Sequence, residues 1–236
     1  MKVRSPLPKS KLLFVLIFIF LGFIALQIPI NQIVGSRVSF TLFDLLAPIS
    51  GTFLGSVYGV IVVFLIQGFN LLAHGISNLD KGAIIRLFPT LFAVLYFSLA
   101  TKSKKNSNYI LLFPILSIIV FNLHPIGKTV WFYSLFWLIP LFVWPLRNRF
   151  LLARALGATF TAHSIGGAIW IWVFNLPAAV WVSLIPIVVI ERGIFALGIS
   201  ASYILMNNIL AYLAKKRLLT AGFSVDKKYI LQILKS

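Results

Sequence analysis

Residues 51–59 read GTFLGSVYG, with glycine at 51, 55 and 59, and Ala47 extends the row upstream. Residues four apart share a face of an α-helix, so Ala47, Gly51 and Gly55 present a strip without bulk. In water, glycine inside a helix weakens it. In lipid, helices associate through close van der Waals contact, and small-x-x-x-small faces permit that contact. Apolar runs flank the row on both sides and no polar loop divides them. The stretch reads as two apolar helices meeting at a tight turn, Gly55–Gly59. The row either packs inside the protein or forms a docking face for another membrane protein.

Composition agrees with lipid. The 236 residues are 60% hydrophobic and 11% charged, with a mean hydropathy of +1.01. A soluble chain carries about 25% charged residues. The net charge of +17 suggests nucleic acid at first sight. The basic residues, however, stand in short clusters beside apolar runs, the pattern that orients a chain in a bilayer, so nucleic acid is not an expected partner. Cysteine is absent, and three histidines with four acids leave little material for a metal site. Neither a metal nor a cofactor is expected.

The apolar runs predict an all-α, polytopic membrane bundle of about eight spans (six to eight). They fall at 12–29, 39–56, 58–75, 83–100, 109–124, 129–145, 155–175 and 180–213. The first reads as an uncleaved span. The last is too long for one straight crossing. Pro186, which lacks an N–H, is expected to kink it or to divide an interfacial piece from the true span. Residues 1–217 form one transmembrane domain and 218–236 a cytoplasmic tail, amphipathic on the inner leaflet or simply solvated. With both termini inside, sixteen basic residues face the cytoplasm, in clusters around Lys2, Lys102, Arg147 and Lys215. Only Arg37, Lys81 and Lys128 face out. That bias supports a multi-pass protein of a prokaryotic plasma membrane. Trp131, Trp137, Trp144 and Trp181 suit the aromatic belts at the two interfaces.

Four charges fall inside the spans: Asp44, Arg86, Glu191 and Arg192. Each costs about 2.5–3.5 kcal/mol to insert. They sum to zero and share one depth, the outer third. Neighbours on a helix point about 100° apart, so Glu191 and Arg192 are expected to find partners elsewhere rather than each other. Gln67, Asn70 and His74 recur at helical spacing, and Asn122 and His163 lie near the same level. These groups form either interhelical ion pairs with amide support or a polar pocket open to the outside.

The stretch SFTLFDLLAPISGTFLGSVYGVIVVFLIQGFNLLA, residues 39–73, resembles spans two and three of the substrate-binding S components of energy-coupling factor transporters. IIRLFPTLFAVLYF at 84–97 is similar to their fourth span, and residues 162–192 resemble their last two. The resemblance covers about half the chain. It implies capture of a small vitamin-like or metal-related solute from outside. Passage inward would follow by toppling against a transmembrane T component driven by two cytoplasmic ATPase subunits. It also implies a lid after span one, here Asn31–Val38. The chain departs from the family in its span count, about six being usual, and in carrying its small-residue row on span two rather than span one.

The expected function is therefore a solute-binding membrane component, non-enzymatic, with Asp44, Gln67, Asn70, Arg86, Asn122, His163, Glu191 and Arg192 at the solute. Ala47, Gly51, Gly55 and Gly59 serve packing or docking. The bilayer is the constant partner. One rival is a non-catalytic scaffold resembling the cell-shape protein MreD. The other is an intramembrane enzyme acting on lipid-linked substrates with His163 and Glu191.

Overall fold

The computed structural model describes residues 9–35, 39–73, 81–101, 107–216 and 225–232, with side chains from Phe14 onward. Arg37, His74, the lysines at 102, 104 and 105, Arg217, residues 36–38 of the expected lid and most of the tail lie outside the described residues.

Helix α1 (Lys9–Leu26) leads into an antiparallel ribbon of β1 (Pro29–Gln32) and β2 (Ser39–Thr41), with Asn31 opposite Phe40. The ribbon was not expected. It takes up the adjoining ends of the first two expected spans and part of the loop between them. Helices α2 (Phe43–Leu46) and α3 (Ser50–Leu54) follow, joined by a 3-10 turn, and α4 (Ser56–Ala73) runs back. Next come α5 (Lys81–Ile85), α6 (Pro89–Thr101), α7 (Leu112–Leu123) and α8 (Pro125–Thr129). A 3-10 stretch Trp131–Leu138 precedes α9 (Ile139–Val143), and a further 3-10 turn, Trp144–Leu146, follows it. Two long helices, α10 (Leu151–Phe174) and α11 (Ala178–Lys215), complete the bundle. α10 is its axis, packed against α6, α7, α9 and α11.

The described residues are all-α apart from the ribbon. Among the described residues three helical stretches are long and apolar enough to cross a membrane: Ser56–Ala73, Lys81–Thr101 and Ala178–Lys215. Phe14–Leu26, Phe43–Leu54, Asn108–Leu123 and Trp131–Leu146 are apolar but shorter. The Phe43–Leu54 segment is about 18 Å of helix against a hydrocarbon core of about 30 Å. α11 runs unbroken through Pro186 for 38 residues, so the proline does not divide it. Large apolar side chains are exposed around the outside, among them Phe20, Leu65, Phe69, Phe142, Ile190 and Leu205. A surface of this kind suits hydrocarbon, not water.

The glycine row turns inward. Gly55 has φ 96° and ψ 149°, a conformation that side chains rarely adopt, and it makes the corner between α3 and α4. Across that corner Gly59 lies against Gly51, so closely that a Cβ at 59 would strike the Gly51 backbone. Ser98 donates to Gly51 O at 2.8 Å from α6, and Ala47 is fully buried. The row is a seam inside the bundle, not an open groove. Three of the four tryptophans assigned to the interfaces are likewise internal. Trp137, Trp144 and Trp181 are buried and only Trp131 is exposed. An indole N–H inside a bundle needs an acceptor, and two find one: Trp137 donates to His163 Nδ1 and Trp144 to Asn108 Oδ1.

The two ends of α10 differ in charge. Arg154 lies in its first turn, beside Arg147 and Arg149, and Lys228 donates to Arg149 O at 2.7 Å. Trp170, about 24 Å further along the helix, donates to Val34 O beside the ribbon at 3.1 Å. The basic residues and the ribbon therefore mark opposite ends.

Candidate functional site: a capped cavity with two ion pairs

At the ribbon end the helices do not close completely. They leave a cavity of about 150 Å³, enough for a body the size of a benzene ring. The ribbon, the Arg86 turn, α6, α10 and α11 wall it, and most of the wall is apolar or aromatic.

The first ion pair begins with a helix start. Thr41-Leu42-Phe43-Asp44 has the spacing of a capping box, in which a side chain in the first turn reaches back to a free backbone N–H. Asp44 Oδ2 accepts from Thr41 N at 2.8 Å and from Arg86 Nη2 at 2.7 Å. The same Arg86 nitrogen lies 3.1 Å from Thr41 Oγ1, and Thr90 Oγ1 lies 3.4 Å from Asp44 Oδ1. Arg86 itself stands in the turn between α5 and α6, where Gln67 lies behind it, 3.5 Å from Leu87 O.

The second pair is Glu191 with Arg192, adjacent on α11. Contrary to the expectation from helix geometry, they bond to each other, Arg192 Nη2 to Glu191 Oε2. The 100° rule fixes Cβ directions, but a guanidinium at the end of a long stem curls back across it. Arg192 is 2% exposed. Its guanidinium lies 4.7 Å from the Phe40 ring centre and 4.4 Å from that of Phe195, with Thr159 Oγ1 accepting at 3.2 Å. Stacking between aromatic faces offsets part of the lost hydration. Glu191 Oε1 accepts from Asn31 Nδ2 at 2.6 Å.

Each charge is thus tied directly, or through its ion partner, to the ribbon. Arg86 holds Thr41, Arg192 stacks on Phe40, and Glu191 holds Asn31. On the deeper wall His163 accepts at Nδ1 from Trp137 at 3.0 Å, and its Nε2 is 3.1 Å from Tyr133 Oη. An indole is only a donor, so the neutral ring carries its proton on Nε2 and both nitrogens are engaged. Four buried polar atoms of cavity-lining side chains have no partner: Asn31 Oδ1, Arg86 Nε, Trp181 Nε1 and Arg192 Nε.

Five of the eight residues assigned from sequence line the cavity: Asp44, Arg86, His163, Glu191 and Arg192. The other three lie elsewhere. Gln67 supports the Arg86 turn. Asn70 accepts from Gln27 at 2.8 Å and ties α4 to the end of α1. Asn122 donates to Ser134 Oγ at 3.0 Å and ties α7 to the 3-10 stretch. Gln67 and Asn70 do share one helix, α4, but spacing does not say which face meets the cavity. Thr41, Thr90, Tyr133, Thr159 and Trp181 were missed. The T-x-x-D spacing at 41–44 signals Thr41; the others carry no local signal.

No family model, no curated protein and no solved structure matches this chain.

Proposed function

We propose that the protein is a multi-pass component of a prokaryotic plasma membrane that binds a small solute at its outer face for uptake by partner subunits. The observation that carries this reading is the cavity. It is lined by charges from three separate parts of the chain and covered by a ribbon that those charges hold. An aromatic wall with a few convergent polar groups is the usual make-up of a small-ligand site. The basic end, opposite the ribbon, belongs on the cytoplasmic side by the positive-inside rule, which turns the cavity outward. On this reading six to eight of the apolar segments cross the membrane, the shorter ones leaning on their neighbours. A transmembrane T component and two ATPase subunits supply the energy.

One observation favours the scaffold as a second reading: all four intramembrane charges are already paired, as structural ion pairs would be. The enzymatic reading has less support, because His163 has no free nitrogen and Glu191 is held by Asn31 and Arg192.

Purification from the native host in mild detergent, with mass spectrometry of proteins and small molecules, tests the proposal. A retained solute together with ATPase subunits is the expected result. Recovery with envelope or division proteins and an empty cavity would sink it in favour of the scaffold.

A further inference from the structure

We propose that the basic end holds a second site, for a phosphate-type oxyanion, at the first turn of α10. This site stands apart from the cavity and does not depend on the transport reading.

α10 is 24 residues long and begins without a capping side chain or an acid in its first turn. The N-terminus of a helix carries free N–H groups and a positive partial charge, so it favours an anion and disfavours a cation. Here it has Arg154 in the first turn, with Arg147 and Arg149 just before it. That arrangement favours further negative charge, because the carboxylate at this end, Asp226, reaches Arg154 only through Tyr203. Among the described residues no carboxylate makes an ion pair with any of the three. Asp226, the acid at this end, accepts from Lys228 N at 3.1 Å and lies 3.5 Å from Tyr203 Oη.

An independent observation points to the same place. Arg154 is 5% exposed and its Nε donates to Arg147 O at 2.6 Å, yet its Nη1 is buried without a partner. Arg147 Nε and Tyr229 Oη are buried and unpartnered as well. Tyr229 comes from the chain terminus. Asn207 and Asn208 on α11 hold that segment: Asn207 exchanges two bonds with the Asp226 backbone, and Asn208 bonds Tyr229 O and Leu231 N. Tyr229 then packs edge-on against Tyr203, which lies beside Arg154. The unpartnered groups are two guanidinium donors and a hydroxyl, a set that suits phosphate oxygens. Such an oxyanion comes from a phospholipid headgroup or from free phosphate. Exposed Phe142, Leu146, Phe150 and Leu152 beside the arginines offer acyl chains a surface.

The test uses the full chain in mild detergent, with native mass spectrometry and titration of phosphatidylglycerol, phosphatidylcholine and inorganic phosphate. One retained equivalent of phosphatidylglycerol, preferred over phosphatidylcholine, is expected. Arg154→Gln and Tyr229→Phe should each weaken it about tenfold, since a hydrogen bond to a charged group is removed. Competition by millimolar phosphate would name the free anion as the source. Phosphatidylglycerol binding without such competition would name the lipid. Either result supports the site. No preference for phosphatidylglycerol and no phosphate binding would overturn it. So would affinity unchanged in both Tyr229→Phe and Arg147→Gln, which decide the matter if Arg154→Gln fails to fold.

Discussion

The two ends of the bundle treat arginine differently. At the ribbon end Arg86 and Arg192 each face a carboxylate, and the pairs are 15%/10% and 3%/12% exposed. At the basic end Arg147 donates to Trp144 O and lies over the Trp144 ring, and Arg154 donates to Arg147 O. A charge enclosed by apolar side chains must be neutralised nearby, because removing it from water costs several kcal/mol. At the ribbon end each guanidinium meets its carboxylate directly. At the basic end Arg154 is just as enclosed, 5% exposed, but the acid there, Asp226, reaches it only through Tyr203.

The largest test of this contrast is Asp44→Ala, which leaves Arg86 enclosed and unmatched. A loss of about 3 kcal/mol or more is expected in detergent unfolding. The double variant Asp44→Leu/Arg86→Met should recover most of that loss, because it removes both charges together. A double variant as unstable as the single one would break the contrast. Asn207→Ala comes next. It removes two bonds to the terminal segment, and about 1–2 kcal/mol of local stability should go with it. Hydrogen exchange should show the Asp226 amide losing protection while the midpoint of global unfolding barely moves. Trp170→Phe is smaller, about 1 kcal/mol, through the lost bond to Val34 O. Faster exchange confined to the ribbon would show that α10 holds it there. Smallest is Lys228→Ala, an exposed bond to Arg149 O, worth at most about 0.5 kcal/mol in thermal unfolding.

Particular residues show how much was legible beforehand. The helical character, the tight corner at Gly55 and the presence of four enclosed charges, Asp44, Arg86, Glu191 and Arg192, were readable one position at a time. An intramembrane charge is conspicuous anywhere. The ribbon was not readable, since Asn31–Val38 reads as a loop between two spans and only the pairing of Pro29–Gln32 with Ser39–Thr41 makes strands. Gln67, Asn70 and Asn122 looked equivalent to the cavity residues because amides at similar depth are alike in sequence.

The sequence by itself determined the apolar character of this protein, its helical class and the identity of its enclosed charges. Those are preferences of single residues and short periodic segments, set by hydration and by the helix repeat. Only the tertiary structure decided that Glu191 bonds Arg192, that the glycine row is an inner seam, that three tryptophans point inward, and that five of the eight assigned polar residues share a cavity. Each depends on which distant segments meet and how far a side chain reaches, and neither is written at any one position.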